Sequence, residues 1–263
     1  MHSDHFAARE LLAGVWHIRD EMGVCMTLLC GQEHALLVDT GYGVSDVQAF
    51  VRTLTDKPLT VLLTHAHHDH ALGARWFDRT LMFPQDLPDF ALYTGDAFRR
   101  RVADQAAAKG VRLPEDFLTA PIAQPAALTE GDIPLGGMTA RILCVPGHTP
   151  GSAVVYVPER ELLLTGDDWN PCTWLFFPAA LDVRTYRDHL RGLLRLPFRH
   201  VICSHQHQLF DRSMPDDFAA ALTDGVLSAA RKVDVGYPQD TREARLPHDQ
   251  ILVFDWNKYI KEA

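Results

Sequence analysis

The sequence predicts an α/β fold in which two sheets pack face to face with helices outside. Three observations carry this. Short apolar strands separated by turns open the chain, one strand then runs straight into a helix as a βα unit, and mixed strands and helices resume further on. The 263 residues are 47% apolar and 22% charged, an ordinary globular balance that excludes disordered, collagenous and coiled-coil chains.

Val15 to Ile18, Val24 to Leu29 and Ala35 to Val38 form a meander of strands, and the last exits through Asp39-Thr40-Gly41-Tyr42-Gly43. Ser45 suits the N-cap of a helix through Leu54. Thr60 to Leu63 is a β-branched strand leading into Thr64-His65-Ala66-His67-His68-Asp69-His70, and Ala71 to Phe77 suits the helix that follows. Residues 85–118 carry helical spacing and no strand signal, which predicts a helical insertion in a single domain spanning 1–263. Thr139 to Val145, Ala153 to Val157 and Glu161 to Thr165 are strands. A helix over Val183 to Leu196 stops at Pro197. His200 to Cys203 is a strand, Asp216 to Lys232 a helix and Ile251 to Phe254 a last strand.

Lysine plus arginine number 25 against 34 aspartates and glutamates, a net charge of −9. Such a surface disfavours nucleic acid and anionic membranes as partners and leaves a small molecule as the expected substrate. No apolar run reaches the ~18 residues that span a bilayer, and the N-terminus shows no signal-peptide pattern. Five irregularly spaced cysteines fit reduced thiols, so a cytoplasmic setting is expected.

The 14 histidines are unevenly spread, and the densest group is His65-x-His67-x-Asp69-His70 at the end of a strand. Imidazole nitrogen and carboxylate oxygen are the donors that borderline divalent ions prefer. Alternate residues on extended chain face the same way, so His65 and His67 can grip one ion, while Asp69 and His70, where the chain turns, can face a second. The plainer alternative is a solvated, histidine-rich loop.

This cluster, with the strand before it, resembles the signature of the metallo-β-lactamase-fold hydrolases. Four further segments are similar to that family's motifs in the same order: Val38-Asp39-Thr40-Gly41, Pro146-Gly147-His148-Thr149-Pro150-Gly151-Ser152, Leu164-Thr165-Gly166-Asp167 and Val201-Ile202-Cys203-Ser204-His205. The resemblance covers residues 14–205. It implies a four-layer αβ/βα sandwich, with His65, His67 and His148 on one metal, Asp69, His70 and His205 on a second, and Asp167 bridging. Asp69 and Asp167 are then the catalytic carboxylates, and Asp39 a carboxylate that orients a ligand. The cofactors implied are two divalent ions, zinc first, with iron or manganese as alternatives. The activity implied is attack of a metal-bound hydroxide on an ester, lactone, thioester or phosphodiester. A mononuclear iron sulfur dioxygenase of the same fold, or a β-lactamase, is the alternative.

His207 competes with His205, and Asp168 with Asp167, but the motif registers favour His205 and Asp167. His68 fits a supporting or exposed role. Cys144 and Cys203 read as core, and Cys172 as a small side chain near the site. Arg99-Arg100-Arg101 is the one dense basic run; on a helix the three point in different directions, which suggests a solvated face, although one of them can greet an anionic substrate if the insertion caps the pocket. The aromatic run from Asp168 to Pro178 neither alternates like a strand nor spaces like a helix. Its rings either pack as core or, Trp169 and Trp174 first, form an apolar pocket wall.

Overall fold

In the computed structural model, which describes residues 5–261, the two most deeply buried layers are sheets that share one core. The first has seven strands in chain order: β1 (Phe6–Leu12), β2 (Val15–Asp20), β3 (Cys25–Cys30), β4 (Ala35–Val38), β5 (Leu59–Leu62), β6 (Leu81–Met82) and β7 (Ala126–Ala127). The second is laid down by β8 (Gly131–Pro134), β9 (Thr139–Cys144), β10 (Ala153–Val157) and β11 (Leu162–Leu164). After β12 (Cys172–Leu175) the chain returns to it with β13 (His200–Ile202) and β14 (Phe210–Asp211), giving the order β14-β13-β11-β10-β9-β8. β15 (Arg231–Lys232), β16 (Thr241–Arg245) and β17 (Ile251–Asp255) join β12 in a third sheet.

The strands explain the layering. Ala35, Leu36, Leu37 and Val38 are all buried, as a strand covered on both faces requires. Leu36 and Val38 meet the second sheet through Val155, Val157 and Leu164, whereas Ala35 and Leu37 face α1 (Val47–Arg52) through Val47, Phe50 and Val51. In β10 the alternation repeats, with Val155 and Val157 inward and Val154 and Tyr156 outward. That outer face is covered by α2 (Val183–Leu193), which buries Val183, Tyr186, Leu190 and Leu193 at helical spacing. Helix, sheet, sheet and helix are the four layers of the expected αβ/βα sandwich.

Several boundaries differ from those read in the sequence. Asp46, not Ser45, caps α1 by accepting from the Ala49 N–H, while the Ser45 hydroxyl donates to Glu21. The helix after the histidine cluster is a single turn, His68–Ala71, followed by a 3₁₀ segment, Leu72–Trp76. Asp216 to Lys232 is not one helix. Helical segments at Ser213–Ala221 and Asp224–Ser228 are split at Leu222, whose ψ of 68° leaves helical space, and Thr223 recaps the chain. The segment after Asp167 is not only loop: Cys172 to Leu175 pairs in parallel with Ile251 to Phe254. Within residues 85–118, α-helices cover Leu87–Tyr93 and Asp96–Lys109, and the remainder is irregular.

Close packing at Gly73 fits the turn after the histidines against the exit of β4. A Cβ there would lie 1.9 Å from the Thr40 carbonyl oxygen, which is backbone and cannot swing aside. Gly73→Ala is therefore expected to lower stability by roughly 1–3 kcal/mol, the cost of overpacking. Denaturant melts of the two proteins check it, and an unchanged midpoint would contradict the contact.

Candidate functional site

The candidate ligands are carried by strand ends. β4 and β5 are parallel neighbours in the first sheet, and β11 and β13 in the second. Their C-terminal ends share one edge of the sandwich, where α/β sites commonly lie. Asp39 follows β4, the His65–His70 loop follows β5, Asp167 follows β11 and His205 follows β13, while His148 lies between β9 and β10.

Donor atoms converge there in three overlapping sets: His65, His67 and His148; His65, His70 and Asp167; and Asp69, His70 and His205, each set within 4.8 Å. His67 Nδ1 lies 3.0 Å from His65 Nε2 and 2.9 Å from His148 Nε2. Asp167 Oδ2 lies 3.0 Å from His205 Nε2, 3.4 Å from His70 Nε2 and 3.7 Å from His148 Nε2. Ligands at zinc–nitrogen bond length around a tetrahedral ion stand about 3.3 Å apart, so these separations are those of a coordination shell. His70 Nε2 and Asp167 Oδ1 are also buried without a hydrogen-bond partner, an arrangement a cation resolves. The residues fit divalent metal.

The other nitrogen of most of these rings is already engaged. Thr64 Oγ1 lies 3.0 Å from His65 Nδ1, the Trp174 carbonyl 2.7 Å from His148 Nδ1 and Asp39 Oδ2 2.9 Å from His70 Nδ1. Each contact leaves Nε2 facing the donor set, the arrangement that orients metal-ligating histidine. Asp39 adopts a left-handed backbone (φ 66°), which aspartate tolerates better than most residues. Asp168 is a brace, not a donor: Oδ1 accepts the His148 backbone N–H. His207 donates from Nε2 to the His17 carbonyl, and His17 donates to the Gln206 carbonyl, so the pair anchors the loop bearing His205.

The electrostatics match the ligand forms. Burial, reinforced by neighbouring imidazoles, pushes His65 and His67 well below the ordinary histidine range, and burial also lowers His148. For His70 and His205, burial opposes charge, but Asp167 and Asp69 outweigh it and hold both above that range. Burial likewise opposes ionisation of Asp69, yet His70, His68 and His205 hold it down to about 2.

Beside the donors lies a cavity of about 620 Å³. Its wall is apolar. Phe177 and Tyr93 each stand 4.5 Å, centroid to centroid, from the His67 ring, and Trp174, Phe98 and Tyr237 extend the wall. Trp169 does not contribute. It is fully buried, packs edge-on to Phe210 and donates from Nε1 to Gln250 beneath the third sheet. Trp174 lines the cavity, as does Cys172, the exposed first residue of β12. His68 lines it outside the donor sets, with its Nδ1 3.8 Å from Asp69.

The solvated face expected for the arginine run holds for Arg100 and Arg101, which are exposed, and fails for Arg99. Arg99 turns inward and donates to the Thr94, Phe117 and Ala120 carbonyls, and Arg101 lines the cavity. Phe98, Arg101 and Gln105 share one face of the Asp96–Lys109 helix, a spacing visible in the sequence but masked by its alanine and charge content. Tyr237, from the loop before β16, had no sequence signal.

A two-sheet sandwich with histidine and aspartate donors gathered at one strand-end edge defines a class of metal-binding α/β proteins. The model of the metallo-beta-lactamase superfamily matches residues 19–168, and the chain belongs to that superfamily. It is 26% identical over 201 residues to the acyl-coenzyme A thioesterase MBLAC2 of Gallus gallus, covering 67% of this chain and 72% of that protein. It is 32% identical over 181 residues to a hydroxyacylglutathione hydrolase of Cereibacter sphaeroides, covering 65% of this chain and 60% of that protein. The chain thus spans well under the full length of these curated relatives. The crystal structure of TTHA1623 in a di-iron-bound form aligns at a TM-score of 0.56 with 27% identity, over 74% of this chain and 93% of that one.

Protons and metal compete for His70 and His205. Asp167 and Asp69 hold both above the ordinary histidine range, so metal uptake near neutral pH should release protons and apparent affinity should fall with acid. Titration calorimetry in buffers of different ionisation heat measures this; uptake without proton release would contradict it. Asp39→Asn should present an N–H to His70 Nδ1, move the ring proton to Nε2 and lower affinity of the His70 set about 10–100-fold.

Proposed function

We propose that the chain is a metal-dependent hydrolase that carries two divalent ions, zinc first among the candidates, and cleaves a small-molecule ester, lactone, thioester or phosphodiester. The observation that carries this is Asp167 Oδ2, one oxygen within 3.0–3.7 Å of donors belonging to both ion groups. Asp167 would then serve both ions. His65, His67 and His148 would hold the first, and Asp69, His70 and His205 the second, with residues 1–263 acting as one domain.

When bound, such a pair supplies Lewis acidity: it lowers the pKa of water and stabilises charge developing on a carbonyl or phosphoryl oxygen. The chain supplies the rest. Thr64, Asp39 and the Trp174 carbonyl hold the imidazoles in register, Asp69 and Asp167 keep their carboxylates ionised, and Phe177, Tyr93 and Trp174 exclude water on the substrate side. The thioesterase and hydroxyacylglutathione hydrolase relatives support placing acyl thioesters first, and the di-iron neighbour supports a two-ion centre. The apolar wall favours an acyl portion beside the scissile bond.

Purified protein should contain about two divalent ions per chain, with His65→Ala emptying mainly one site and Asp167→Ala weakening both. Elemental analysis decides this, and one iron with oxygen-dependent turnover would replace the proposal. Trp174→Ala should reduce kcat/KM about tenfold on bulky acyl substrates and less on acetyl ones. Trp169→Phe, a core change, should lower the melting temperature while leaving the acyl-size preference intact.

A further inference from the structure

The helical insertion places one exposed arginine beside the aromatic wall of the cavity. Phe98, Arg101 and Gln105 lie beside the buried Arg99, Val102 and Ala106 face of the Asp96–Lys109 helix and border the cavity together, Arg101 being exposed. Arg101 is the sole lysine or arginine among the described lining residues, and among the described residues no carboxylate pairs with it. Its guanidinium instead sits 5.0 Å over the Tyr237 ring, a cation–π contact that holds the group while leaving its N–H donors unspent. Tyr237 is in turn fixed by Phe176 and Phe177, 5.2 and 5.5 Å away. The two carboxylates of the cavity, Asp69 and Asp167, belong to the metal-donor sets, where bound cations would neutralise them. With both carboxylates so engaged, Arg101 would carry the remaining fixed charge among the described lining residues, in a chain of net charge −9. A guanidinium held by an aromatic face, with its donors free, is built to meet an anion.

We propose that Arg101 is a specificity-determining residue that anchors an anionic group on the substrate, making the substrate class an amphipathic acyl compound with an apolar portion beside the scissile bond and a carboxylate, sulfonate or phosphate further out. This rests on the hydrolase function proposed above. The anion can belong to the acyl side or to the leaving group. Arg99, which braces the insertion, and Arg100, which faces solvent, take no part.

Three matched esters separate the sources: phenyl hexanoate, monophenyl adipate with its anion on the acyl chain, and 4-sulfophenyl hexanoate with its anion on the leaving group. Metal-loaded wild type is compared with Arg101→Gln, Arg101→Lys and Tyr237→Leu. Arg101→Gln should lower kcat/KM about tenfold on one anionic ester, the scale of a charge-assisted hydrogen bond, and distinctly less on phenyl hexanoate. Arg101→Lys should retain part of the preference, and Tyr237→Leu should weaken it by freeing the guanidinium. Equal losses on all three esters, or none, would overturn the anchor. A second measurement needs no turnover: calorimetric titration with hexyl sulfate and with 1-hexanol. Arg101→Gln should weaken only hexyl sulfate. If that difference is seen but no ester is cleaved, the ester part of the hydrolase proposal fails and the anion anchor stands. If hexyl sulfate shows no Arg101-dependent binding, the anchor is wrong whatever the esters show.

Discussion

A buried carboxylate at the end of β4 is the constraint on which the donor geometry depends. Asp39 is 1% exposed and accepts from the Thr64 N–H, the Thr64 hydroxyl, His70 Nδ1 and the Ser204 hydroxyl. Those partners follow β5 and β13 and lie on the first helical turn, so one side chain ties both sheets and the turn together. Burying a charge is tolerated only where hydrogen bonds replace its water. Once Thr64 is fixed, its hydroxyl also reaches His65 Nδ1, and the two rings that face each other across the donor set, His65 and His70, are both referred to the same anchor.

The candidate metal donors were legible in the sequence because coordination chemistry leaves few residue types to choose from and because each follows an apolar strand. Their convergence needs the sheet order, yet motif order along the chain already implied it. The cavity wall was less legible. β16 reads Thr-Arg-Glu-Ala-Arg, with only Thr241 and Ala244 buried, so it shows neither an apolar run nor a strand alternation. β12 pairs with a strand that follows almost 80 residues later, a partner no local pattern announces. Without that pairing the aromatic run looked like loop, and nothing distinguished Trp169, which points into the core, from Trp174, which borders the cavity.

Structure divides the work between parts of different origin. The donors sit on loops clamped between paired central strands. The surface a substrate would meet comes from the insertion helices, the exit of β12 and the loop before β16. Asp86, at the start of the insertion, joins the two regions by accepting from the Thr149 hydroxyl and the Gly151 N–H beside His148, and burial pushes its carboxyl up to about 6. Changes in the insertion can therefore alter the wall while the clamped rings keep their positions.

The parallel pairing of β12 with β17 also has a consequence for biosynthesis. All seven candidate metal donors lie between residues 65 and 205, whereas the strand that braces Trp174 and the loop that carries Tyr237 come later in the chain. A chain emerging from the ribosome N-terminus first exposes every donor before the wall beside them has its last support. Metal capture can accordingly precede closure of the aromatic wall, so the order of translation lets the ions arrive while the donor edge is still open.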